Sequence, residues 1–345
     1  MKADAKILVI QTAFIGDVVL VTPVFHALRR HWPAAKVHAV VIPSAFPILQ
    51  HNPNIDRILV YDKHQQNSGP TGLLKLARQL YREAYDIVLA PHRSMRTALL
   101  VRMSGAPVRI GFDLNSGGSC YSHRVTYQKS MHEVDRNLSL LQPLGIVAGR
   151  IAPEIFTSEP ERQQVSHLLN DSRTQQPLIA LAPGSVWPTK RWPESHFIEL
   201  AQALVGAGYS LCLLGGTQDH DLCARIAAAC PGRAVNTAGL LSLPASTELI
   251  RRCRLLVSND SAPLHLASAA GTPTLALFGP TVPEFGFAPY RSNSAVLGLE
   301  LSCRPCSIHG GRRCPIHTHA CMRDLAAETV FANAITLMNG NKTDG

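Results

Sequence analysis

Asp17 follows directly on Gly16 in the segment QTAFIGDVVLVTP (11–23), where an apolar run gives way to a helix-forming one. Gly16 lets the backbone turn tightly and approach a ligand. Asp17 then stands at the C-terminal edge of a sheet, where open α/β folds bind ligands. The same carboxylate also suits an N-cap, accepting backbone N–H groups and complementing the helix dipole. With one glycine in the loop there is no G-x-G-x-x-G fingerprint, which disfavours a dinucleotide here.

Two later segments pair strand ends with polar loops. LAPGSVWPTKRWPESHF (181–197) runs from a strand through Pro183, Gly184 and Ser185 into a basic loop with Thr189, Lys190 and Arg191. Small residues beside adjacent cations suit a diphosphate. Lys190 and Arg191 can neutralise charge building on a leaving group. The alternative is a solvated surface loop, which the flanking Trp187 and Trp192 make less comfortable. VSNDSAPLHLASAAGTPTLALFGPT (257–281) ends a buried strand at Asn259 and Asp260. Ser261 reads as an N-cap and Pro263 as a first-turn residue, leaving backbone N–H groups as an anion site. Asp260 and His265 project near the same point, although His265 taken alone reads as a satisfied helix histidine.

A fourth cluster holds Cys303, Cys306, Cys314 and Cys321, spaced C-x2-C-x7-C-x6-C, with His309, His317 and His319 nearby. Its opening C-x2-C suits a tetrahedral zinc or iron–sulfur knuckle, but the second half does not repeat that spacing. A structural metal and a compact loop of reduced thiols both stay open.

These residues need rigid elements behind them. KILVI (6–10), VHAVVI (37–42), RILVY (57–61) and DIVLA (86–90) read as strands, with helices over 17–31 and 73–84 between them. Pro23 is either tolerated in the first helix or kinks it. LIALAP (178–183), SLCLLGG (210–216), RLLVS (254–258) and TLALF (274–278) repeat the rhythm, with helices over 194–208, around 219–229 and from Ser261. This alternation predicts an α/β protein of two doubly wound parallel sheets, with a linker in the Pro-bearing, strand-poor stretch 149–177 and a ligand cleft between the domains. The tail NGNKTDG (339–345) reads as frayed.

The length of 345 residues fits two domains, and an apolar fraction of 46% excludes a disordered chain. No apolar run is long enough for a membrane span. Lys2 and Lys6 before ILVIQTAFIG resemble a signal peptide, but Gln11, Gly16 and Asp17 interrupt it and no cleavage site follows, so it reads as the first strand of a cytoplasmic protein. The net charge of +9 favours anionic partners. Aromatics are 6% and not interleaved with the basic residues, which argues against nucleic acid and for acidic substrate or lipid. Without an export signal the nine cysteines do not read as a disulfide framework.

Taken together, IGDVVLVTPVFHALRRHWP, APGSVWPTKRWP and SNDSAPLHLASAAGTPTLALFGPT resemble glycosyltransferase family 9, the ADP-heptose:lipopolysaccharide heptosyltransferases, with the PGS…TKRWP segment nearer the heptosyltransferase II branch. The resemblance spans nearly the whole chain, with the motifs in family order. It implies a GT-B architecture, two Rossmann-like domains facing a central cleft: an acceptor-side domain over 1–155 and a nucleotide-sugar domain over 156–321, with a helix over 322–340 packing back on the first. It also implies inverting transfer of L-glycero-D-manno-heptose from ADP-heptose to the lipopolysaccharide inner core, with no cofactor required for chemistry. By the same resemblance Asp17 is the general base and Lys190 the cation on the donor phosphates. Gly16, Gly184, Thr189, Asp260, Ser261 and His265 bind substrate, and an acid within GTQDHD (216–221) lies near the ribose. A phosphorylated lipid-linked acceptor implies peripheral contact with the inner membrane. Domain closure would bring Asp17 to the donor. The rival readings are a nucleotide-sugar epimerase of similar architecture and a non-catalytic basic binding module; a nicotinamide dehydrogenase is disfavoured by the missing fingerprint.

Overall fold

The computed structural model of the chain describes residues 4–63, 69–174 and 176–340. The chain divides into two units, Met1–Phe156 and Thr157–Gly345. The first runs β1 (Lys6–Ile10), α1 (Ile15–His31), β2 (Lys36–Val41), α2 (Phe46–Leu49), β3 (Arg57–Val60), α3 (Gly69–Arg82), β4 (Ile87–Ala90), α4 (Met95–Met103), β5 (Val108–Phe112), β6 (His123–Val125) and α5 (Glu133–Ser139). Its six strands pair in parallel in the order β3-β2-β1-β4-β5-β6. Ile7 sits between Val37 and Ile87 in register. The central strands are buried on both faces, which is why they read as unbroken apolar runs.

Helix α1 continues through Pro23. Proline cannot donate to the carbonyl four residues back, which here belongs to Val19. The neighbouring Thr22 hydroxyl donates to that carbonyl at 2.7 Å, so the helix loses a backbone bond without orphaning an acceptor. Asn137 of α5 donates to the Leu20 carbonyl at 3.2 Å and fixes α5 against α1.

The second unit runs α6 (Glu159–Leu169), β7 (Leu178–Ala182), α7 (Glu194–Gly206), β8 (Ser210–Leu213), α8 (His220–Ala228), β9 (Ala234–Asn236), α9 (Leu243–Arg251), β10 (Leu255–Asn259), α10 (Ala262–Ala270), β11 (Thr274–Leu277), β12 (Ala295–Leu297), α11 (Ala320–Arg323) and α12 (Ala327–Gly340). Its strands are again all parallel, in the order β12-β11-β10-β7-β8-β9.

The boundary between the units falls inside the stretch 149–177, which also contains α6, started by a Ser158–Glu161 capping box and packed on α9. One expectation needs correction: the helix within 322–340 belongs to the second unit. Val330, Ala334 and Met338 of α12 complete the second unit's core beside Phe197, Leu200 and Leu204 of α7. Among the described residues no helix is long and apolar enough to cross a membrane. The tail segment 341–345 lies outside the described residues.

Candidate active site

In a doubly wound sheet the ligand crevice opens where strand order reverses. That point lies between β1 and β4 in the first unit and between β7 and β10 in the second. The first turn of α1, which follows β1, carries Gly16 and Asp17, and the loop after β4 carries His92 and Arg93; the loops after β7 and β10 carry Gly184, Thr189, Lys190, Asp260 and Ser261. The topology therefore delivers the sequence motifs to the two switch points.

Asp17 is not the N-cap of α1. Phe14 holds that position, and Asp17 lies in the first turn. Its carboxylate reaches back to the backbone N–H groups of Phe14 and of Asp17 itself. Burial pushes its pKa up to about 6, against those N–H groups and the Arg93 charge, which favour the ionised form. A second acid stands close by. Burial lifts Glu133 to about 7, opposed by the Arg136 guanidinium and reinforced by the Asp17 charge. Glu133 Oε2 accepts from Arg136 Nη1 at 2.8 Å and from the Tyr127 hydroxyl at 3.2 Å. Arg93 and Arg136 both lie over the Tyr127 ring, at 4.3 and 4.7 Å from its centroid. His92 Nδ1 is within hydrogen-bonding distance of Thr12 and Thr97, at 3.0 and 2.8 Å. Burial, with the Lys63 and Arg93 charges, drops its pKa to about 4, so it is neutral near pH 7.

None of Arg93, Tyr127, Glu133 or Arg136 belongs to a motif singled out in the sequence. Arg93 was findable as a charged residue three positions after an apolar strand at the reversal point. The other three come from an edge loop and a short helix whose place beside Asp17 is fixed only by tertiary packing.

The second site is built around an ion pair. Lys190 Nζ meets Asp260 Oδ2 at 2.5 Å, with both side chains largely buried. The same oxygen accepts the Thr281 hydroxyl at 2.6 Å. Asn259, fully buried, ties the loops together by accepting the Trp192 N–H at 3.1 Å and donating to the Pro183 carbonyl at 2.8 Å. Trp192 is a core residue of the second unit. Ser261 occupies the N-cap of α10 but does not cap it. Its hydroxyl lies 3.3 Å from the Gly184 and Asn259 carbonyls, to which it donates, so the first-turn N–H groups gain no side-chain acceptor from it. His265 is buried in α10. A Cβ on Gly184 would run into the Asp219 carboxylate, so glycine is needed there for close approach. Of the two acids in GTQDHD, Asp219 is buried and accepts the Gly216 N–H at 3.0 Å, whereas Asp221 projects into solvent.

The cysteine segment lies on this site. Thr189 Oγ1 is 2.9 Å from the Gly311 carbonyl and 2.7 Å from the Gly311 amide nitrogen. His319 Nε2 lies 2.8 Å from the Thr189 carbonyl, and the Cys306 N–H donates to Pro280 at 2.9 Å. A Cβ on Gly310, itself at φ +87°, would press on Lys190 and Trp187. All nine cysteines are free thiols. Among the described residues no three His, Cys, Asp or Glu side chains are placed to hold one ion, while Cys306, Cys314, Cys321 and His319 line one cavity beside Thr189. The segment's visible work is to brace the Thr189–Lys190 loop.

Comparison with known proteins gives one family. The model of glycosyltransferase family 9 (heptosyltransferase) matches residues 73–316. Lipopolysaccharide heptosyltransferase 2 of Escherichia coli K12 is 28% identical over 294 residues, covering 81% of this chain and 84% of that protein. Among solved structures, the glycosyl transferase family 9 protein of Veillonella parvula superposes with a TM-score of 0.87 at 26% identity, covering 99% of both chains. The ADP-heptose lipopolysaccharide heptosyltransferase II of E. coli superposes with a TM-score of 0.79 at 25% identity, covering 98% of this chain and all of the other.

Proposed function

The chain belongs to glycosyltransferase family 9, and from that premise we propose that it moves L-glycero-D-manno-heptose from ADP-heptose to a hydroxyl of the lipopolysaccharide inner core, with inversion at the anomeric carbon. It is a GT-B glycosyltransferase. The observation that carries the assignment is the division of chemistry between two strand-order reversals: a carboxylate with a pKa near 6 at one, and a caged cation beside an uncapped helix start at the other.

In this reading the acceptor oxygen attacks the anomeric carbon as the carbon–oxygen bond to the β-phosphate of ADP breaks. The acceptor proton passes to Asp17, whose raised pKa suits a base working near neutrality. The electron pair leaves with ADP. Lys190 has three donors and spends one on Asp260, so two remain for diphosphate oxygens. The first-turn N–H groups of α10 add fixed positive potential. Gly184 and Ser261 keep the two loops close, Thr189 fixes the backbone that carries Lys190, and Gly16 and His265 complete the binding surfaces. No step is routed through a metal. The first unit is the acceptor side and the second the donor side. The enzyme works in the cytoplasm, and its net charge of +9 favours peripheral docking on an anionic inner-membrane surface, where its lipid-linked acceptor resides.

Mass spectrometry of products from ADP-heptose and truncated lipopolysaccharide acceptors tests the assignment. A heptose-mass increment on one acceptor, with ADP released only in its presence, is expected. An isomerised sugar nucleotide formed without acceptor, or no turnover at all, would sink it.

A further inference from the structure

We infer that Arg93 reads an oxyanion on the acceptor, a carboxylate or phosphate carried by the saccharide that presents the accepting hydroxyl. The inference rests on the function proposed above and adds a binding residue on the acceptor side. Two guanidinium groups share the Tyr127 ring, and they differ in what else they touch. Arg136 is buried, ion-pairs with Glu133 at 2.8 Å and donates from Nε to the Met131 carbonyl at 2.8 Å. Its charge is satisfied inside the protein. Arg93 is exposed and forms no ion pair with a carboxylate among the described residues.

Arg93 is nevertheless well anchored. Its carbonyl accepts the Ser116 N–H at 3.2 Å, and the next residue, Ser94, caps α4 by accepting the Thr97 N–H. The ring beneath it is fixed in turn. The Tyr127 N–H donates to Asp113 Oδ1 at 2.9 Å, its hydroxyl donates to Glu133, and Phe112 meets the ring edge-on with centroids 5.1 Å apart. A guanidinium held this way offers a preformed fork of N–H donors that matches a carboxylate or phosphate. Its charge acts on the Asp17 carboxylate, favouring the ionised form. Without that cation, Asp17 and Glu133 would repel an acidic acceptor.

Steady-state kinetics on the full chain tests this, with ADP-heptose as donor and three acceptors: a truncated lipopolysaccharide, the same material with phosphate removed, and the same material with its carboxyl groups reduced. Arg93→Gln is expected to raise the KM for the native acceptor by about 10- to 100-fold while leaving the ADP-heptose KM within about twofold. On the acceptor that lacks the recognised group, wild type and variant should converge, and the treatment that makes them converge identifies the group. Arg93→Lys should recover part of the loss, keeping charge without the fork. An equal penalty on all three acceptors, no penalty, or a shifted donor KM overturns the inference. If wild type transfers heptose to none of the three, the proposed function fails and the inference with it. If wild type transfers and Arg93→Gln matches it, only the inference fails.

Discussion

Asp17 has to be ionised to accept a proton, and its surroundings oppose that ionisation. Its carboxyl is lifted from 3.8 to about 6, so in the proposed mechanism the base is progressively lost below pH 6. The kcat/KM profile should therefore fall on the acid side with an apparent pKa near 6. The stability sign runs the other way. A carboxyl with a raised folded pKa contributes stability that is complete below pH 3.8 and gone once pH has risen through 6. Asp17→Asn should thus cut turnover by about 10²- to 10⁴-fold yet raise stability at pH 7.5 by about 1–3 kcal/mol. ADP-heptose binding should be unaffected. Urea melts and single-turnover rates measured on one preparation would show both effects, and a variant with near-normal transfer would remove Asp17 from the mechanism. Lys190 needs a paired design. Removing it alone strands Asp260 in a buried setting, at a cost of about 3 kcal/mol or more. Lys190→Met combined with Asp260→Asn should recover the melting temperature but not the ADP-heptose affinity. Recovery of both would make the lysine structural.

Thr22 illustrates the same reasoning for an element. Its hydroxyl serves two partners, donating to Val19 and accepting the Glu154 N–H at 3.1 Å. Thr22→Val leaves both without it and should cost about 2 kcal/mol, whereas Thr22→Ser should cost much less. Equal melting temperatures for the two variants would mean that Pro23 is accommodated some other way. The strands most legible in the sequence were those buried on both faces, such as KILVI and LIALA. Strands β6, β9 and β12 were not read, because each is three residues long at a sheet edge and little apolar surface marks it. Strand β5 was missed because Arg109 and Gly111 interrupt its apolar run. Asp17, Lys190 and Asp260 were legible from their strand-end positions. Arg93 and Glu133 were not, since their significance depends on a tyrosine ring and a helix brought to Asp17 by the fold. The brace on Thr189 was equally hidden, lying 122 residues away in sequence.

At the scale of the molecule, each unit has its own parallel sheet and its own buried cluster. If the second unit alone carries the donor site, ADP stabilises it by mass action and leaves the first unit's intrinsic stability unchanged. Differential scanning calorimetry of the full chain should then resolve two transitions, with ADP raising only one. A uniform shift of both would place nucleotide contacts on each unit. The brace on the cation loop also bears on the order in which the protein is made. Thr189 is held by Gly311, and the Trp192 indole donates to the Leu325 carbonyl at 2.9 Å, 133 residues further on. A chain still emerging from the ribosome thus has its lysine long before it has the segment that steadies it. Synthesis interrupted before residue 311 would leave the Thr189–Lys190 loop without its brace, so on the proposed role of Lys190 competence to hold the activated sugar is acquired near the end of translation.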